Sequence, residues 1–138
     1  MKVKRDFVTN SSSTSFIIST KEKWSEDVFL HAIGIEGDSP IRKLFCDLFD
    51  AVERNKTELL TAMKEDSRQF ETVSCFLKAE GFSEETIETV EALLSQNRTL
   101  YYGELHSDGN TAAEAFFCTE SFVICDDDIY FNGRIGGW

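Results

Sequence analysis

The sequence predicts an α+β domain: a small, mostly antiparallel sheet built from both chain ends and covered on one face by about four central helices. Three observations predict it. Extended, β-branched and aromatic character is confined to TSFIIS near the start and to three segments after Asn97. Between them lie stretches with a helical apolar period and recognisable caps. A chain of 138 residues also fits one domain and buries enough surface to fold without cross-links. The expected organisation is a single domain over 1–138. It has a Ser-rich arm and strand over 1–20, a helical region over 25–97, and C-terminal strands with a hairpin over 99–134.

The first strand is carried by Phe16, Ile17 and Ile18. Ser25 then caps a short helix: Glu26 and Asp27 suit its positive end, and Trp24 can staple onto Phe29. Gly34 ends it. The next helix has the clearest signal, with Ser39 as cap and Pro40 at its first position. Ile41, Leu44, Phe45, Leu48, Phe49 and Val52 form one apolar stripe along it. Helical character continues through TELLTAMKE, with or without a break near Asn55. A third helix is expected from Arg68 to Glu80, with Phe70, Val73 and Leu77 inward, Gly81 as a left-handed cap and Phe82 as its apolar contact. Ser83 starts a fourth, with Ile87, Val90 and Leu94 on one face. TLYYGELH, SFVICD and DIYFNG read as strands, the last two joined through the aspartate run as a hairpin. Residues 109–119 stay open between helix and strand, and the GRIGGW tail is expected to be mobile.

Charge bounds the partners. Residues 1–24 carry five Lys/Arg against two acids, a local +3, and the remaining residues carry nine against twenty-three, a local −14. A body that acidic repels phosphate backbones, so nucleic acid is not expected as a partner. No run approaches the length of a membrane-spanning helix, and the basic start runs into polar TNSSST rather than an apolar signal segment, so the expected location is cytoplasmic. In that compartment the NSS, NKT and NRT triplets carry no glycan. The twelve phenylalanines have no polar handle and belong in a core or an interface. A protein partner is therefore expected, self-association is left open, and no cofactor is implied.

The candidates for chemistry are few. His106, at a strand end beside a loop, and Cys118 are weak catalytic candidates, with Asp108 and Asn110 near them in sequence. Asp126 and Asp128 are weak metal candidates, because calcium loops space their ligands at alternating positions with a glycine, which Asp126-Asp127-Asp128 lacks. Cys46, Cys75 and Cys125 read as core residues, and His31 as a helix-surface residue.

The run TNSSST, between Phe7-Val8 and Phe16, admits three readings: a polar turn, an exposed recognition tag, or an anion-binding nest helped by Lys2, Lys4 and Arg5. The absence of glycine counts against the nest. The longer string KRDFVTNSSSTSFII resembles the N-terminus of a set of small bacterial and archaeal proteins, which carry Phe-Val-Thr/Ser-Asn-Ser-Ser-Ser and a second Phe after one or two basic residues. The matching positions are Arg5, Phe7, Val8, Thr9, Asn10, Ser11, Ser12, Ser13, Ser15 and Phe16, with Thr14 in place of a further serine. The likeness covers roughly a tenth of the chain. It implies a recognition element, with Arg5, Asn10, Ser11, Ser12, Ser13 and Ser15 as partner- or ligand-binding residues. The expected function is thus a non-catalytic protein-interaction or accessory role, through this arm or a Phe-rich surface. The alternative is a small enzyme or ligand-binding domain with a pocket near His106 and Cys118.

Overall fold

Five strands and five helices are formed by the residues that the computed structural model describes, namely 13–38, 40–106 and 122–136. Arg5, Asn10, Ser11, Ser12, Ser39, Asp108, Asn110, Cys118 and all of 109–119 lie outside the described residues. The elements run β1 (Ser13–Thr20), α1 (Glu26–Ala32), α2 (Pro40–Asn55), β2 (Thr57–Glu58), α3 (Leu59–Glu65), α4 (Val73–Ala79), α5 (Glu84–Ser95), β3 (Tyr101–His106), β4 (Phe122–Cys125) and β5 (Ile129–Gly136). The strands form one sheet in the order β2-β3-β1-β5-β4, with every neighbouring pair antiparallel. The fold is α+β, and the strand nearest the start of the chain sits at the centre of the sheet.

The helices cover both faces of this sheet, not one. Phe16, Ile17 and Ile18 are each fully buried. Because successive strand residues point to opposite faces, three buried residues in a row require cover on both sides. Phe16 and Ile18, with Ile129 and Phe131 of β5, pack under Phe29 and Leu30 of α1 and Leu48, Phe49 and Val52 of α2. Ile17 and Tyr130 pack on the other side against α3, α4 and α5, through residues such as Leu59, Phe76, Leu77, Ile87 and Val90. The continuous apolar run in TSFIIS carries this information; a one-faced sheet alternates apolar and polar.

Local chemistry sets the element ends. Ser25 Oγ accepts the Val28 amide (3.2 Å), and Trp24 lies 5.8 Å from Phe29, as the cap and staple predict. Ser83 Oγ accepts the Thr86 amide (3.2 Å) at the start of α5. Gly81 has φ +91°, and the Phe82 amide returns to the Leu77 carbonyl (3.0 Å), which buries Phe82. The helix before it is shorter than predicted, because Thr72, not a residue near Arg68, caps it by accepting the Cys75 amide (3.1 Å). Upstream of that cap, Asp66 accepts the Arg68 amide (2.9 Å) and Gln69 turns at φ +55°, so 66–72 is irregular. TELLTAMKE is likewise interrupted: Thr57 and Glu58 pair with Tyr102 and Tyr101 before α3 begins. At the other end of the chain, β5 runs on to Gly136, so Arg134–Gly136 of the supposed mobile tail pair with Ser13–Ser15.

Candidate functional site

The serine motif is divided by the start of β1. Ser13 and Ser15 lie opposite His106 and Glu104 on β3, and opposite Gly136 and Arg134 on β5. Phe16 is fully buried and meets Phe131 edge-on, with centroids 6.3 Å apart. A turn across TNSSST therefore excludes Ser13 and Thr14, which are strand residues, and Thr14 is fully buried. Ser13, Ser15 and Phe16 belong to the sheet, while Arg5, Asn10, Ser11 and Ser12 lie outside the described residues.

The same register brings the motif to the His106 region. A pocket of about 330 Å³ is lined by Asn55, Thr57, Glu65, Tyr102, Glu104 and His106, among others. Gly103, also in its lining, is closely packed: a Cβ there would lie 2.5 Å from the Asn55 carbonyl oxygen and 2.7 Å from Phe16 Cζ. His106 is exposed, at the last position of β3. Two carboxylates and one imidazole around a small opening suit proton exchange or the binding of a cationic group. Cys118, the other weak catalytic candidate, lies outside the described residues.

A side-chain chain that sequence reasoning missed backs this pocket. The Tyr102 hydroxyl donates to Glu80 Oε1. Glu80 Oε2 accepts from Arg68 Nη2 (2.7 Å), and Arg68 also donates from Nε and Nη2 to Asp66 (3.0 and 2.9 Å). Burial first, and the Glu80 hydrogen bond second, push the Tyr102 phenol well above its ordinary pKa, while a bond from Ser15 opposes them. The Arg68 bonds hold the Asp66 carboxyl down at about 2. Through Ser15 and Tyr102 the serine motif is joined to α4. The visible signals were the glycine inside TLYYGELH, which marks close backbone approach, and the acid before Gly81.

The remaining candidates resolve into structure. Asp126 Oδ1 accepts the amides of Asp128 (2.8 Å) and Ile129 (3.1 Å), so its carboxylate closes the hairpin turn between β4 and β5. Among the described residues no group of three or more His, Cys, Asp or Glu side chains could hold a metal ion. Cys75 and Cys125 are exposed rather than core residues, since Cys75 projects from α4 and Cys125 ends an edge strand. Cys46 is half-buried, and burial raises its thiol pKa. The eight phenylalanine side chains that are described are buried or half-buried, so they build the two cores rather than a surface.

Comparison with known protein families, with curated proteins and with solved structures finds no match to this chain. Among the described residues no helix is long and apolar enough to cross a membrane.

Proposed function

We propose that this chain is a cytoplasmic, non-catalytic accessory domain that engages a protein partner through its N-terminal serine-rich arm. The observation that carries the reading is the register of Ser13 and Ser15 against His106 and Glu104. It anchors the second half of the motif in the central strand, with Ser13 opposite His106 and Ser15 opposite Glu104, two residues that line a polar pocket. In this reading a partner that grips Arg5, Asn10, Ser11 and Ser12 reaches Glu104 and His106 as well. The resemblance of the motif to the N-termini of small bacterial and archaeal proteins supports a recognition element over an incidental turn.

The test is the full chain with Asn10, Ser11 and Ser12 changed to alanine. The partner, identified by cross-linking to the unaltered chain and competed from it, without cross-linker, by a synthetic peptide of residues 1–12, should no longer be retained. The melting midpoint should stay within about 2 °C, as for substitutions away from core, caps and buried networks. A fall of more than about 5 °C makes the run part of the fold and overturns the reading. A second reading, a small enzyme or ligand-binding domain, is favoured by the His106 pocket itself. Binding or turnover lost on His106→Ala but kept in the alanine-substituted arm would select it.

A further inference from the structure

At the end of the sheet opposite Ser13, the loop from β1 to α1 meets the loop from α5 to β3. They enclose a pocket of about 220 Å³ whose wall includes Lys21, Lys23, Trp24, Arg98, Thr99 and Tyr101. The chain as a whole carries −11, yet this wall sets three cations, Lys21, Lys23 and Arg98, against one carboxylate, Glu22. Arg98 is placed by the close of α5: Asn97 turns at φ +63°, and the Asn97 and Arg98 amides return to the Leu94 and Leu93 carbonyls (3.0 and 3.1 Å). Nε and Nη2 of its guanidinium are buried and have no hydrogen-bond partner among the described residues. Arginine cannot shed its charge, and buried charged donors without an acceptor are costly, so this group calls for an anion. Arg68, by contrast, spends its donors on Asp66 and Glu80.

We propose that this pocket binds the phosphate group of a small molecule, whether free phosphate or a phosphomonoester. Nε and Nη2, which solvent does not reach in this rotamer, form a planar fork that matches phosphate oxygens once the guanidinium turns into the pocket, with Lys21 and Lys23 as flanking point charges. Three cations and Glu22 leave a local +2, which complements a phosphate of about −1.5 to −2 better than a singly charged carboxylate. The aromatic part of the wall is already fixed: Trp24 Nε1 donates to Glu53 (2.7 Å), and the indole stacks on Phe49 at 5.1 Å. The volume lies below the roughly 300–1,000 Å³ of sites for drug-sized ligands, so the organic portion is at most small. This site is independent of the arm and of the His106 pocket.

The experiment is titration of the ¹⁵N-labelled full chain with inorganic phosphate, phenyl phosphate and benzoate at constant ionic strength. Both phosphates should move the amides of Lys21–Trp24 and Arg98–Tyr101 and the Arg98 Nε signal, and benzoate should bind at least severalfold more weakly. Tighter binding of phenyl phosphate assigns a phosphomonoester, and equal binding assigns free phosphate. Arg98→Gln should weaken either by at least tenfold, as for loss of a charge-assisted fork. Unchanged affinity in that variant, equal binding of benzoate, or shifts confined to other regions overturns the proposal. Should Arg98→Gln fail to fold, the Arg98 Nε signal of the unaltered protein decides: no movement with either phosphate overturns it.

Discussion

Gly103→Ala adds one methyl group at the point where three elements converge. Its Cβ would lie 2.5 Å from the Asn55 carbonyl oxygen, 3.0 Å from the Asn55 carbonyl carbon and 2.7 Å from Phe16 Cζ. The first two are backbone atoms at the end of α2. The third belongs to a fully buried ring already in edge contact with Phe131, so none can yield freely. Overpacking of this kind costs about 1–3 kcal/mol, and two contacts this short place the site near the upper end. Alanine also restricts the unfolded chain, which returns about 0.4–1 kcal/mol. The net loss is about 2 kcal/mol, or a fall of about 6–10 °C in melting midpoint for a domain of this size. Calorimetry or thermal circular dichroism reads it directly. Phe16→Leu combined with Gly103→Ala should relieve the ring contact but leave the Asn55 contact. The pair should then be less damaging than the sum of the singles by about 1 kcal/mol. A midpoint within about 2 °C of the unaltered protein, or strict additivity of the pair, would refute the packing argument.

Tyr102→Phe removes the donor to Glu80 and should cost about 1–2 kcal/mol at neutral pH, measured by urea unfolding. Because the folded phenol titrates above the unfolded one, its contribution is full below about pH 10 and is lost as pH rises further. Stability of the unaltered protein should therefore fall more steeply above that pH than stability of the Phe variant, and parallel curves would exclude the coupling. For Asp66, held at about 2 against an ordinary 3.8, the sign is opposite: its contribution is present above about pH 4 and fades as pH falls towards 2. Asp66→Asn should flatten that part of the acid limb, and an unchanged limb would remove the Arg68 pairing from the explanation. Under a limiting thiol reagent, Cys75 and Cys125 should label ahead of Cys46, whose thiol is half-buried and less readily ionised. Faster labelling at Cys46 would contradict its placement beside the first core.

Legibility of the fold followed the range of the interactions involved. Caps and staples act within one turn, so Ser25, Trp24, Gly81, Phe82 and Ser83 could be assigned from neighbouring residues alone. Strand character at Phe16–Ile18 was equally local. What it implied, two covered faces, required noticing that three consecutive apolar residues leave no solvent side. The start of α4 was misplaced because Arg68 and Phe70 carry helical spacing, while the Asp66–Arg68 bonds and the Thr72 cap draw 66–72 out of the helix. Long-range features were illegible. Arg68 reaches Glu80, and Glu80 reaches Tyr102, across separations that no periodicity links. Ser13 meets His106 only because β1 and β3 pair in one particular register.

That register also gives physical meaning to the basic character of residues 1–24. On paper Lys2, Lys4, Arg5, Lys21 and Lys23 look like one positive segment. In the fold, Lys21 and Lys23 follow the Thr20 end of β1, and its seven residue steps at about 3.3 Å put Ser13 about 23 Å from Thr20. That distance exceeds two screening lengths of about 8 Å at physiological salt, so exposed charges at the two ends of the strand do not act as one patch. The strand between them is paired to β5 along its full length and to β3 over Ser13–Ile18, which leaves it a single arrangement. An element with one arrangement does not carry a population shift from one end to the other. The two ends of β1 are therefore separate surroundings. Ser13 stands opposite His106 at one end, and Lys21 and Lys23 line a pocket with Arg98 at the other.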